Sequence, residues 1–392
     1  MHPARFNFPA SMLLTRGGRG AARFAVALAG VFVLAASAAA APPILPPVSG
    51  AIFAMAPDGA GGWYIGGLFD RVGDLPRANL AHVLADQQIA PWDPGTDGPV
   101  FALAVEGDDV VVGGRFAHVG GGYLHAGGLE RRHLAAVDRR TGLVSTWDPD
   151  PNAAVHALVA QGGTIYAGGE FMRIGRLERE RLAAFDHATG LPTLWDPQAN
   201  GPVFSLAVAG ETVYTGGCFS SVGDLERLHL AALDAGSGIP RTWRPEVKGS
   251  LQTVAALAVR GTTVYAGGWF HEVSGLPRSG LVALDTQSGL PVGWDLEVNG
   301  PVLALASTSD GVVAGGAFTR IGGLERSGLA RVGAPTVLTD VWDPASNGPI
   351  LCLGSTPDAV VAGGFFSRVY DLERFSLVAV SPATGIPYLS GE

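Results

Sequence analysis

Seven glycine pairs begin at Gly66, Gly113, Gly168, Gly216, Gly267, Gly315 and Gly363, with spacings of 47, 55, 48, 51, 48 and 48 residues. No other feature constrains the fold as tightly, because periods of about 20–50 residues belong to solenoids, propellers and arrays. The copy at 201–243, GPVFSLAVAGETVYTGGCFSSVGDLERLHLAALDAGSGIPRTW, shows the unit. An apolar run, PVFSLAV, is followed by a short polar turn. A second run, TVYTGG, is followed by CFSSVGDLER. A third, LHLAALD, leads through AGSG to Trp243. These are strand-length segments separated by turn residues, with no helical period between them. They are apolar on both faces, as sheets sandwiched between neighbours must be. Four antiparallel strands in each of seven units predict an all-β, seven-bladed β-propeller over 42–392. Its blades fall at roughly 47–97, 98–151, 152–199, 200–248, 249–298, 299–346 and 347–392. A β-solenoid is the competing architecture, but solenoid coils are usually shorter than this unit.

The glycine pair ends the second strand, where a Cβ would block a turn or a close approach. A phenylalanine follows one residue later in every unit: Phe69, Phe116, Phe171, Phe219, Phe270, Phe318 and Phe366. An aromatic fixed at one repeat position packs one blade against the next. An arginine of LER or LPR also recurs in all seven (Arg77, Arg131, Arg179, Arg227, Arg278, Arg326, Arg374). Seven arginines in a ring would suit an anion. The plainer expectation pairs each with a carboxylate or carbonyl at its own blade junction, such as the aspartate after tryptophan.

The shared pattern, VYAGGxFxxIGxLERxxLAAxDxxTGLPxxWDPxxNGPV, resembles the bacterial delta-60 repeat, a β-propeller domain of unknown function found in exported proteins. The resemblance spans about 340 residues and implies a fold and export, but no catalytic residues. The glycine pairs are also similar, more weakly, to those of kelch repeats. The Trp-Asp dipeptides at 92, 147, 195, 294 and 342 mostly precede proline and lead into the next unit, so they are poor evidence for WD40 repeats.

The first 41 residues stand apart. Arg5, Arg16, Arg19 and Arg23 precede the run FAVALAGVFVLAASAAAAPP with no acid among them. A basic segment, an apolar segment and small residues at Ala38–Ala40 predict a secretory signal peptide, 1–41. An uncleaved anchor is the alternative, since 24–41 is nearly long enough to span. Cleavage removes four arginines and takes the formal net charge from −9 to −13, which disfavours nucleic acid as a partner. The expected product is a periplasmic or extracellular monomer with no membrane span. Cys218 and Cys352 lie at different repeat positions and have no CxxC spacing, so they read as two buried thiols.

Repeats supply an internal comparison, in which residues of a unique site depart from the pattern. The loops after the second and fourth strands emerge on the same face, and a site is expected there. Unit two carries an insertion within FAHVGGGYLHAGGLERRHL that brings Tyr123 and His125 near His118 and His133. The histidine spacings match no compact metal motif, and His133 has a counterpart in His229, so a partner contact is the better expectation. Between the glycine pair and phenylalanine stand Leu68, Arg115, Glu170, Cys218, Trp269, Ala317 and Phe365. Arg115 and Glu170 occupy neighbouring units and form a candidate ion pair. Trp269 with His271 and Glu272 is an aromatic–polar cluster suited to stacking a sugar or packing a loop. Unit four carries a basic patch, Arg241, Arg244 and Lys248.

The first strands read as small and apolar, which makes a poor lining for catalysis. No nucleophile motif, phosphate loop, cofactor signature or metal set appears. Glu106, Asp108 and Asp109 fall in a hairpin on the opposite face and read as turn residues. The expected function is an exported binding or scaffold module for a protein or glycan. Its candidate contacts are Arg115, His118, Tyr123, His125, Glu170, Trp269, His271 and Glu272. The alternative is a polysaccharide hydrolase or lyase with a pocket on the same face.

Overall fold

A computed structural model describes residues 45–121, 128–249, 251–293, 295–309, 311–333 and 342–388. The expected leader, 1–41, and the insertion residues Tyr123 and His125 lie outside them. The described chain is all-β and consists of many small antiparallel sheets. Unit four is typical: Val203–Ala209 pairs with Thr212–Gly217, which pairs with Leu230–Asp234. Among the described residues, the fourth strand expected in each unit is reduced to one isolated bridge in units one to five and seven, such as Leu233 to Pro240 in unit four and Phe185 to Pro192 in unit three. Two backbone hydrogen bonds flank the bridge in unit four, Asp234 N–H to Ile239 O at 2.9 Å and Arg241 N–H to Ala232 O at 2.8 Å, and the pairing ends in the same way at Ile89 and Val144 in units one and two.

The glycine pair does two separate jobs. A Cβ on the first glycine of each pair would meet the first valine or isoleucine of the next unit at 2.5 to 2.9 Å. A Cβ on the second would strike the carbonyl oxygen at the start of the first strand in its own unit. One glycine therefore sets the spacing between sheets, and the other lets two strands cross closely at one sheet's end. The seventh unit meets the first by the same contact, Gly363 on Ile52. First strands of successive units lie side by side, and Ile350–Ser355 lies against Val48–Pro57. Val48 N–H donates to Phe375 O at 3.0 Å, and Ser376 Oγ donates to Gly50 O.

Tryptophans tie neighbouring units together. Trp195 Nε1 donates to Asp234 O at 2.9 Å, and Trp92, Trp147, Trp243 and Trp342 make the same bond one unit on. The acceptor residue also caps its own turn: Asp234 Oδ1 takes the Ser237 amide at 2.8 Å. The recurring arginines turn inward to the same corner. Arg131, Arg179, Arg278 and Arg326 each lie 3.2 to 3.3 Å from the aspartate after tryptophan, with Arg77 at 3.8 Å. Arg227 has Arg244 where the others have aspartate, and keeps the bond to Arg241 O that Arg77, Arg131, Arg179 and Arg374 make to the equivalent carbonyl. These arginines are corner braces and not an anion ring.

His133 and His229 occupy one repeat position with Asn79, Arg181, Gly280, Gly328 and Ser376. All seven have φ between 63° and 75°. At each, the amide donates to the conserved phenylalanine's carbonyl. His133 therefore has a backbone role shared by every unit, which a histidine fills at some strain.

Candidate functional site

Each first strand carries a β-bulge just after its first-glycine contact residue, where the register to the second strand shifts. A bulge re-aims the side chain it carries. The seven bulge residues are Phe53, Phe101, His156, Phe204, Ala255, Leu303 and Leu351. The expectation of a small apolar lining is corrected here. The first strands of units one to four carry an aromatic arc, and it contains a single imidazole. Phe53 and Phe101 are 5.7 Å apart between centroids, Phe101 and His156 are 5.2 Å apart, and His156 and Phe204 are 5.3 Å apart. In units five to seven the smaller Ala255, Leu303 and Leu351 line a cavity of about 10 Å³, room for one water at most.

Arg115 and Glu170 stand at the ends of second strands in units two and three, just past the glycine pairs. Their amides donate to Pro99 O and Ala154 O, beside the start of each first strand. This fixes both side chains over the aromatic arc. Arg115 Nη2 lies 3.3 Å from Glu170 Oε2, as the expected ion pair. The other carboxylate oxygen, Oε1, lies 3.2 Å from His156 Nε2. That contact is within charge-pairing distance but too oblique for a well-formed hydrogen bond, and His156 Nδ1 has no hydrogen-bond partner. The His156 side chain is 1% exposed, Glu170 30% and Arg115 37%. The imidazole beside Glu170 and the Arg115 charge hold its carboxyl below the usual carboxylate range, against the burial that opposes ionisation. The rest of the rim is mostly apolar, with Leu68 and Trp269 half-buried and Phe365 exposed.

The other candidates do not join this group. His118 Nδ1 pairs with Asp97 Oδ2 at 2.8 Å, while Asp97 Oδ1 takes the Ala117 and His118 amides. Asn152, Asn200, Asn299 and Asn347 hold the same two amides in their units, so His118 belongs to a repeated turn brace. Glu272 is taken by Lys248 at 2.9 Å. Trp269 packs on the core cluster that contains Leu303, Leu351 and Phe366, and His271 is exposed with its amide bonded to Lys248 O. The cluster expected at 269–272 is thereby split. Arg241 and Arg244 are neutralised by Asp234 and Glu226.

On the opposite face, Glu106 accepts the Gly163 amide at 2.7 Å and Asp109 lies 3.2 Å from His187. Both tie adjacent units. Cys352 is buried, but Cys218 is exposed, and both are free thiols. Cys218 differs from the expectation because its repeat position lies at the rim. Among the described residues, no group of three or more His, Cys, Asp or Glu is placed to hold a metal, and no helix is long and apolar enough to cross a membrane.

Similar solved structures bear on the fold alone. A chain of the mitotic checkpoint complex is 15% identical with a TM-score of 0.57, covering 87% of this chain and 98% of that one. The WD40 repeats of RRP9 are 13% identical with a TM-score of 0.54, covering 86% and 98%. The computationally designed Ika8 protein is 17% identical with a TM-score of 0.51, covering 88% of each chain. No family model matches the chain, and no curated protein matches it significantly. The protein thus bears a weak resemblance to WD40-type β-propeller repeat proteins, in architecture and not in sequence.

Proposed function

We propose that the seven repeat units close into a seven-bladed β-propeller that acts as an exported binding or scaffold module, engaging a protein or glycan at the mouth of its ring of first strands. The observation that carries this reading is convergence. Arg115, Glu170 and His156 each carry charge or titratable polarity at repeat positions held elsewhere by uncharged residues, and Glu170 lies 3.3 Å from Arg115 and 3.2 Å from His156. Departures scattered by drift would not meet at one point. Closure is supported by the Gly363–Ile52 contact, which matches those between the other units. Export is supported by the composition of residues 1–41, and kinship with delta-60 repeats by the shared residue pattern. An interior filled mainly by apolar side chains favours recognition at the rim over chemistry in a tunnel.

The test is to probe a glycan array and a peptide array with the wild-type protein and with the R115A/E170Q double variant. Binding to either array that the variant loses supports the reading. Binding that the variant retains in full moves the ligand off the mouth, and silence on both arrays overturns the module.

A further inference from the structure

The mouth presents an unusual pair of surfaces. Glu170 spends one oxygen on Arg115 and one on His156, but a carboxylate has about four acceptor sites, and its exposed lone pairs remain open. Arg115 gives Nη2 to Glu170 and has further guanidinium N–H groups to offer. Phe53, half-buried, extends the arc of Phe101 and His156 as an apolar floor. The result is a donor and an acceptor held side by side against an aromatic surface.

Charge selects among the ligands that such a site takes. An anionic group placed on Arg115 competes with Glu170 and is repelled by it, within a chain of net charge −9. A cationic group placed on Glu170 is repelled by Arg115. Either one breaks a pair that is already half desolvated, and stranding one partner of such a pair is expensive. Neighbouring hydroxyls on a neutral ligand avoid both penalties: one donates to Glu170, and the other accepts from Arg115 while the ion pair stays intact. A pyranose combines vicinal hydroxyls with a C–H face that packs on an aromatic ring.

Resting on the binding-module reading, we propose that the mouth binds an uncharged pyranose, its hydroxyls bridging Arg115 and Glu170 and its apolar face on Phe53. His156 is a positioning residue. Almost fully buried and without a partner at Nδ1, it fixes the Glu170 carboxylate from below.

The experiment titrates the full chain by calorimetry with neutral oligosaccharides of glucose, galactose, mannose and N-acetylglucosamine. Uronate and glucosamine oligomers and a lysine- and arginine-rich peptide library are run beside them. The expected result is saturable binding of at least one neutral probe, about tenfold weaker in E170Q and in R115A, each of which removes a charge-assisted hydrogen bond. His156→Phe restores the residue that neighbouring units carry and keeps the packing. It is expected to weaken the neutral sugar several-fold and to move the Glu170 carboxyl, followed by NMR, up toward the ordinary range. A purely structural His156 would leave both unchanged. Preference for the uronate, glucosamine or peptide probes, lost in the same variants, overturns the neutral-sugar assignment and leaves the module standing. Neutral-sugar binding that all three variants retain overturns the site. Silence with every probe overturns both readings.

Discussion

The Cβ that Gly363 lacks would stand 2.9 Å from Ile52 Cγ2, and the one that Gly66 lacks would stand 2.5 Å from Val100 Cγ1. The last unit therefore meets the first as each unit meets the next. This predicts that Gly363→Ala is as disruptive as Gly168→Ala, each costing about 1–3 kcal/mol through overpacking. Chemical denaturation measures it. Both substitutions are made in a Cys352→Ala background, because Cys352 Sγ of the same unit would lie 2.7 Å from the Gly363 Cβ with or without closure; if the chain ended in an open solenoid, Gly363→Ala would there be near neutral.

Trp195 Nε1 reaches across a unit boundary to Asp234 O, and the ring is almost wholly buried. Trp195→Phe keeps most of the apolar contact and loses one hydrogen bond, for about 1 kcal/mol. Trp195→Ala also leaves a cavity and costs about 3–5 kcal/mol. Paired melting curves of the two variants separate the latch from the packing.

Acid stability has two parts of the same sign. Burial pushes the His133 and His229 imidazoles down, so the folded state disfavours their protonation. Stability is complete above the unfolded histidine value of about 6.5 and falls as pH drops below it toward the folded values. Glu170 is held low, so its contribution is present above the unfolded glutamate value of about 4.3 and is lost as pH falls through its depressed value. Replacing both histidines with asparagine, the residue at Asn79 with the same positive φ, is expected to flatten the upper part and leave the lower one. Melting temperatures between pH 3 and 8, of the order of these values, test both parts.

The two thiols differ in kind. Cys218 is exposed at the rim, while complete burial pushes the Cys352 thiol up. A thiol reagent is expected to modify Cys218 alone in the native protein and both cysteines in denaturant. Rapid native labelling of both would contradict the packing of Cys352 against Ile52.

The repeat made most of the fold legible, because each unit restates the same glycines, phenylalanine and corner. The fourth strand is shorter than the sequence suggests, because its residues read as strand-like while Leu233–Pro240, Val83–Ile89 and Val137–Val144 are each a single bridge. At the site, Arg115 and Glu170 were visible because they stand beside the invariant glycines. His156 was missed although VHALVA stands where other units have VFALAV or VFSLAV. A single histidine in an apolar strand gives no sign that a bulge sets it between Phe101 and Phe204 or that Glu170 lies beside it. His271 and Glu272 were grouped with Trp269 by proximity in sequence, while the ribbon pairs Glu272 with Lys248, 24 residues away.

The most direct measurement is a crystal structure of the protein grown with the strongest ligand from the glycan and peptide arrays. The expected result is a closed ring with Gly363 on Ile52 and ligand density within hydrogen-bonding distance of Arg115 and Glu170. Density on the opposite face or the outer edge, or a first unit separated from the seventh, would contradict it.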